Sequence, residues 1–337
     1  MTKLKWIVAI GLSSVSFAAT AAEVNVYSGR AEVFVKPLLE KFTDQTGIEV
    51  NLLSAKDDAL IARLQSEGRN SPADILLTAD AGRLLRAEAA GLLQPAESEI
   101  LFERIPEKYR DSDNHWYGFT MRSRPIMAAT DRVSEGEITT YEELADPKWK
   151  GRICVRSSDN VYNQSFIAAM IAHNGGEKTE EWVEGFVSNF ARPPSGGDRD
   201  QIRAVVAGEC DLTLANTYYL AGMLDGQDAE QREIAEQITV IWPNQDGTGA
   251  HVNISGAGVT ASSKNTEEAI KLMEFMTSEA AQVEYAQSNH EYPVVKGVEM
   301  SETLQEFGDF KADDLLLDKL GEHNAEGVRI MDRAGWR

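Results

Sequence analysis

Short apolar runs and helix-period patterns alternate along the chain from Glu23 onward. Val24–Val26, Ile48–Leu53 and Asp74–Leu77 read as strands, and helices are predicted around Lys36–Thr46 and near Leu60–Glu67 and Leu84–Ala90. That order is βαβαβ, which gives a parallel sheet with helices on its faces. A second start comes at Gly151-Arg-Ile-Cys-Val155, followed by helices near Asn163–Asn174, Glu180–Phe190 and Arg199–Ala207, then the strand Asp211–Leu214. Ile238–Trp242 and Gly258–Ala261 read as later strands, and Thr266–Thr277 and Glu279–Gln287 as helices. The roughly 315 residues after the first 22 exceed one comfortable core and point to two lobes. No long Ser/Gly/Pro linker separates them, which favours lobes joined by hinge strands. The expected division is 23–120 plus about 245–295 for one lobe, and 121–244 plus about 296–337 for the other. In α/β proteins of this kind the ligand sits between the lobes, at strand carboxyl ends.

The first residues fit an export signal. Lys3 and Lys5 precede an apolar run from Trp6 to Phe17, and Ala18-Ala-Thr-Ala-Ala22 leads to the polar Glu23. The run is too short and too rich in serine and small residues for a membrane span, so residues 1–22 are expected to be removed by cleavage after Ala21 or Ala22. Losing Lys3 and Lys5, with no acid lost, takes the formal net charge from −21 to −23. Such a charge argues against nucleic acid or an anionic membrane as partner, and it raises the local concentration of cations. Simple solubility or a salt-adapted surface accounts for most of the charge, so acidity permits cation binding without establishing it.

Three tyrosines stand out. Tyr218 and Tyr219 end the stretch Cys210-Asp-Leu-Thr-Leu-Ala-Asn-Thr-Tyr-Tyr, and Tyr162 lies in Ser157-Ser-Asp-Asn-Val-Tyr-Asn163. A phenolate is a hard anionic oxygen donor, and three converging in a cleft would favour a small, highly charged cation, above all Fe3+. Neighbouring side chains on a strand face opposite ways, so Tyr218 and Tyr219 share a ligand only if the strand has already ended; Asn216-Thr217 is a plausible stop. The other reading makes both rings core or interface aromatics. Cys154 and Cys210 are the only cysteines, each eight residues before one tyrosine. In an exported chain they are expected to pair, aligning two neighbouring strands, with two free thiols as the alternative.

Other chemistry lacks its local signatures. The chain has no G-x-x-x-x-G-K-[ST], G-x-G-x-x-G, G-x-S-x-G or H-E-x-x-H, and its five histidines are scattered. Pro194-Ser-Gly-Gly-Asp198 reads as a turn and helix cap rather than a phosphate cradle.

Taken together, several segments resemble the periplasmic ferric-ion-binding proteins of ABC iron importers, within the type II periplasmic-binding-protein superfamily. They are Val26-Tyr-Ser-Gly-Arg30, Arg69-Asn-Ser-Pro-Ala-Asp74, Trp149-Lys-Gly-Arg152, Arg156-Ser-Ser-Asp-Asn-Val-Tyr-Asn-Gln-Ser165, Gly196-Gly-Asp-Arg-Asp-Gln201, Asn216-Thr-Tyr-Tyr219 and His251-Val-Asn-Ile-Ser-Gly-Ala-Gly258. The resemblance covers essentially the whole chain after residue 22. It implies two α/β lobes, two hinge crossings and closure around Fe3+ as a transported ligand. It also implies a periplasmic, monomeric binding protein, not an enzyme, that delivers to an inner-membrane ABC permease.

By the same resemblance Tyr162, Tyr218 and Tyr219 match the iron-binding tyrosines. Arg122 matches an arginine that in some members helps hold a synergistic anion such as carbonate or lies near the metal, with Arg124 as second candidate; either also fits an interlobe salt bridge. Where family members often carry a His-Tyr pair, this chain has Ala31 and Glu32. Glu32 is thus a candidate to ligate the metal or to stand beside the anion, or simply an acid at a helix start. Two alternatives stand beside ferric capture: a binding protein for a small anion held by Arg122 and strand-end amides, and a secreted enzyme, for which no nucleophile and base pair is recognisable.

Overall fold

The computed structural model describes residues 22–337, so the leader expected over residues 1–22 and its cleavage site fall, apart from Ala22, outside the described residues. The first half runs β1 (Glu23–Ser28), α1 (Glu32–Thr46), β2 (Glu49–Ser54), α2 (Asp57–Glu67), β3 (Ile75–Thr78), α3 (Ala81–Ala89), β4 (Leu93–Gln94), α4 (Glu99–Arg104) and β5 (Tyr117–Ser123). It continues as β6 (Ile126–Ala129), β7 (Ile153–Cys154), α5 (Val161–Asn174), α6 (Gly176–Ser188), α7 (Asp198–Val206), β8 (Leu212–Leu214), α8 (Thr217–Leu224), α9 (Ala229–Ala235) and β9 (Ile238–Ile241). The remainder is β10 (Val252–Thr260), α10 (Thr266–Met276), α11 (Glu279–Gln287), β11 (Tyr292–Pro293), α12 (Glu302–Glu306) and α13 (Asp318–Arg333).

Two sheets organise these elements. The first has the order β11-β5-β10-β3-β1-β2, with β4 also on β10; β1 pairs in parallel with both β2 and β3, as the βαβαβ pattern requires, while β10 runs antiparallel to β3 and β5. The second has the order β7-β8-β6-β9, with β7 parallel to β8 and β6 antiparallel to its neighbours. The chain passes from the first sheet to the second through Arg124-Pro125 and returns between Ile241 and Val252.

Each sheet supports its own core. Val26, Phe42, Leu64, Ile75, Leu84 and Met273 are among the buried residues of the first, and Ile126, Trp149, Ile153, Phe186, Leu212 and Trp336 of the second. Helix α5 belongs to both: Ala168 and Ala169 pack into the first core, Phe166, Ile167, Met170 and Ile171 into the second. A helix buried on two faces loses its polar side and reads as nearly uniform apolar sequence, which is how Phe166–Ile171 looks.

Strand β10 is the sheet centre with the least strand-like sequence, Val-Asn-Ile-Ser-Gly-Ala-Gly-Val-Thr, yet all nine residues are buried. Its glycines answer close backbone approaches, since a Cβ on Gly256 would lie 2.4 Å from the Tyr117 carbonyl oxygen and one on Gly258 2.3 Å from that of His115. Among the described residues, no helix is long and apolar enough to cross a membrane.

Candidate metal centre

Tyr162 and Tyr218 occupy equivalent places, each the second residue of a helix that follows a strand of the second sheet. Asn160 caps α5, its Oδ1 accepting from the Tyr162 N–H at 3.1 Å. Asn216 stands at the N-cap of α8, its N–H donating to Asp198 Oδ2 at 2.9 Å. The strand β8 has therefore ended before the tyrosine pair. On a helix, neighbours point only about 100° apart, so both rings of the pair can face one cavity. Their centroids are 4.3 Å apart, and the Tyr218 hydroxyl donates to the Tyr162 hydroxyl at 3.0 Å.

The cysteines hold this arrangement from behind. Cys154 and Cys210 form a disulfide with Cα atoms 5.8 Å apart, tying the end of β7 to the residue before Asp211 and β8. Since β7 and β8 are neighbours, the bridge aligns the two segments that lead to Tyr162 and Tyr218.

The three tyrosines line a cavity of about 220 Å3, together with Gly29, Arg30, Ala31, Phe34, Ala79, Arg122, Ser255 and Glu291. Burial pushes the Tyr162 and Tyr218 phenols above the ordinary range. The neighbouring phenols, Tyr219 for Tyr162 and Tyr162 for Tyr218, raise them further, while Arg122 opposes the shift. The guanidinium carbons of Arg122, Arg156 and Arg124 lie 5.4, 5.6 and 5.9 Å from the Tyr162 ring centroid. Without a cation the phenols of Tyr162 and Tyr218 keep their protons; a hard cation would displace them, because only the ionised form is a strong ligand.

The two candidate arginines differ in what they have left to offer. Arg124 is committed, with Nη1 donating to Asp198 Oδ2 at 3.0 Å and Asn216 Oδ1 at 3.1 Å, and Nη2 to Asn163 Oδ1 at 2.9 Å. It braces the starts of α5, α7 and α8 and is absent from the cavity lining. Arg122 faces the cavity; its Nη2 donates to Asp80 Oδ2 at 3.2 Å, while its Nη1 is buried with no partner among the described residues. An anion in the cavity would satisfy that nitrogen. Glu32, exposed in the first turn of α1, lies outside the cavity lining and borders a separate groove between α1 and β2.

Sequence reasoning did not single out Arg30, Ser255 or Glu291. Arg30 donates to both Glu291 oxygens, at 2.8 and 2.9 Å, and also to Ser255 Oγ. The first-sheet wall thus carries an ion pair and, on β5, Arg122, while Gly29, Ala31, Phe34 and Ala79 bring no polar side chain. Arg30 and Ser255 sit inside two of the segments that carry the family resemblance; nothing local flags Glu291.

Residues 38–312 match the bacterial extracellular solute-binding protein family. The chain belongs to that family. Its members bind solutes and are not enzymes. The chain is 52% identical over 315 residues to iron uptake protein A1 of Synechocystis sp., covering 94% of this chain and 88% of that protein. Among solved structures it is similar to a Trichodesmium protein in complex with iron and citrate ligands, with a TM-score of 0.89 and 46% identity over 94% of this chain and all of the other. It is also similar to a ferric binding protein from Campylobacter jejuni, with a TM-score of 0.91 and 40% identity over 93% of this chain and all of the other. The fold of this solute-binding protein is accordingly the two-lobed α/β fold of type II periplasmic binding proteins.

Proposed function

We propose that the protein captures Fe3+ between its lobes through the phenolates of Tyr162, Tyr218 and Tyr219, acting as a periplasmic monomer that hands the ion to an inner-membrane ABC permease. The observation that carries this reading is the convergence of three tyrosines on one cavity wall, with two hydroxyls 3.0 Å apart and an unpaired guanidinium nitrogen beside them. Relatives described as iron uptake and ferric binding proteins support it.

Three phenolates leave about three positions of a six-coordinate ferric ion to be filled. Ala31 and Ala79 cannot fill them, and Glu291 is engaged by Arg30. A small hard anion such as carbonate, held by Arg122, supplies up to two of the missing oxygens and water the remainder, with Arg124 acting as a brace behind the tyrosine helices and Glu32 taking no part. The anion also offsets the guanidinium charge, which the single Asp80 carboxylate must share with Asn253 and Ser165.

Strand membership supports the expected division into a first lobe of residues 23–120 plus about 245–295 and a second of 121–244 plus about 296–337, except at its first boundary. The first crossing shifts to Arg124-Pro125 because β5 runs on to Ser123. The leader over residues 1–22, cleaved after Ala21 or Ala22, would bring the chain to the periplasm.

Metal analysis and visible absorbance of protein purified without added iron test the proposal. It predicts ferric ion at one per chain with a phenolate-to-iron charge-transfer band. A colourless protein that takes up carbonate but excludes Fe3+ would point instead to an anion-binding protein.

A further inference from the structure

Asp80 is fully buried and accepts four hydrogen bonds on its two carboxylate oxygens. Oδ1 takes the Gly82 N–H at 2.9 Å, which caps α3, and the Ser165 hydroxyl at 2.8 Å. Oδ2 takes Arg122 Nη2 at 3.2 Å and Asn253 Nδ2 at 2.8 Å. Asn253 in turn accepts from the Ala81 N–H at 3.0 Å, so α3, β5 and β10 all meet at this one carboxylate.

The Ser165 bond is the one that leaves the first sheet. Ser165 sits on α5, three residues after Tyr162, and residues three apart on a helix share a face. A single carboxylate therefore joins the helix that carries one metal-binding tyrosine to the arginine that would hold the anion. A helix cap alone explains only the Gly82 bond. It does not require a hydroxyl from α5, nor a cavity-lining guanidinium whose other terminal nitrogen is buried with no partner among the described residues.

We propose that Asp80 is the positioning residue that couples the tyrosine arm of the site to its anion arm, aiming Arg122 into the cavity when α5 brings Tyr162 into place. This rests on the reading of the site as a tyrosine ferric centre with an anion at Arg122. When α5 and its tyrosine move, the Ser165 hydroxyl moves with them, and the carboxylate that orients Arg122 gains or loses that donor. Metal and anion then bind as one event.

Two substitutions separate coupling from capping. Asp80→Asn keeps an oxygen for Gly82 and Ser165 but turns an N–H group toward Arg122 and Asn253, removing the Asn253 bond and a charge-assisted bond to Arg122 worth a factor of about 10 to 100. The carbonate concentration needed for half-maximal colour should rise at least tenfold, and the charge-transfer maximum should shift. Ser165→Ala removes only the bond from α5. Iron should pass to a chelator about three- to tenfold faster, with the maximum unchanged.

A variant Asp80→Asn that melts earlier but keeps the parent's carbonate dependence and band maximum would reduce Asp80 to a helix cap and overturn the proposal. So would parental iron-release rates in Ser165→Ala, which decides the matter alone if Asp80→Asn does not fold. Failure of the underlying ferric reading would look different, because the unmodified protein itself would then show no carbonate-dependent band.

Discussion

Replacing Tyr218 with Phe should change how steeply iron affinity depends on pH, not only its size. Burial and the neighbouring phenol hold Tyr218 well above the ordinary phenol value of about 10, and burial with Tyr219 raises Tyr162 likewise. At pH 7 the cation must therefore displace a proton from each of these two groups against at least three pK units. That costs about 4 kcal/mol per phenol, or about 8 kcal/mol for both. Each displaced proton adds one logarithmic unit of affinity per pH unit, equal to about 1.4 kcal/mol. Affinity thus rises with pH as long as the free phenols are protonated and falls on acidification. Competition against a chelator of known pH-dependent ferric affinity, at fixed total carbonate between pH 6 and 8, gives the slope. Iron hydrolysis and carbonate protonation contribute equally to parent and Tyr218→Phe and cancel in the difference. The slopes should differ by one. Parallel lines would show that Tyr218 gives up no proton to the metal and is not a ligand.

Arg122→Ala should weaken ferric binding at least tenfold and abolish its carbonate dependence, whereas Glu32→Ala should change neither; titrations of both variants with and without carbonate check this, and a large loss only in Glu32→Ala would place a ligand in the first lobe. Reducing the Cys154–Cys210 bridge, which spans 56 residues, should lower stability by about 4 kcal/mol on the chain-entropy account, measured by denaturant unfolding with and without reductant. Asp198→Ala strips the shared buried partner of Arg124 and Arg156 and the acceptor of the Asn216 N–H, so it should cost about 3–5 kcal/mol in the same unfolding assay and weaken iron binding through the displaced α8.

The βαβαβ opening was legible because β1, β2 and β3 are bounded apolar runs with helical patterns between them. So were α5, α7, α10 and α11, and the stop at Asn216 that lets Tyr218 and Tyr219 face one cavity. Strands β5 and most of β10 were not. Their residues serve the site: Asn253 and Ser255 pair with Asp80 and Arg30, and Gly256 and Gly258 admit neighbouring backbone, so polar and glycine positions replace the expected alternation. Helix α13 escaped notice because it carries Gly321 and Gly327, poor helix formers. There the glycines permit close packing, since added Cβ atoms would lie 2.9 Å from Leu85 and 3.2 Å from Ile167. Residue type and spacing made the three tyrosines candidates and left a core-aromatic reading open; the family resemblance is what singled them out together. The roles of Asp80 and Glu291 were not readable, because each depends on partners more than 40 residues away: Arg122, Ser165 and Asn253 for one, Arg30 for the other.

The visible spectrum of iron-loaded protein, recorded for the parent and for the Tyr162→Phe, Tyr218→Phe, Tyr219→Phe triple variant with bound metal quantified in each, tests the central claim most directly. The account predicts a charge-transfer band and stoichiometric Fe3+ in the parent, and loss of both in a variant that keeps the parent's fold by circular dichroism. A folded triple variant that retains Fe3+ as tightly as the parent would contradict it.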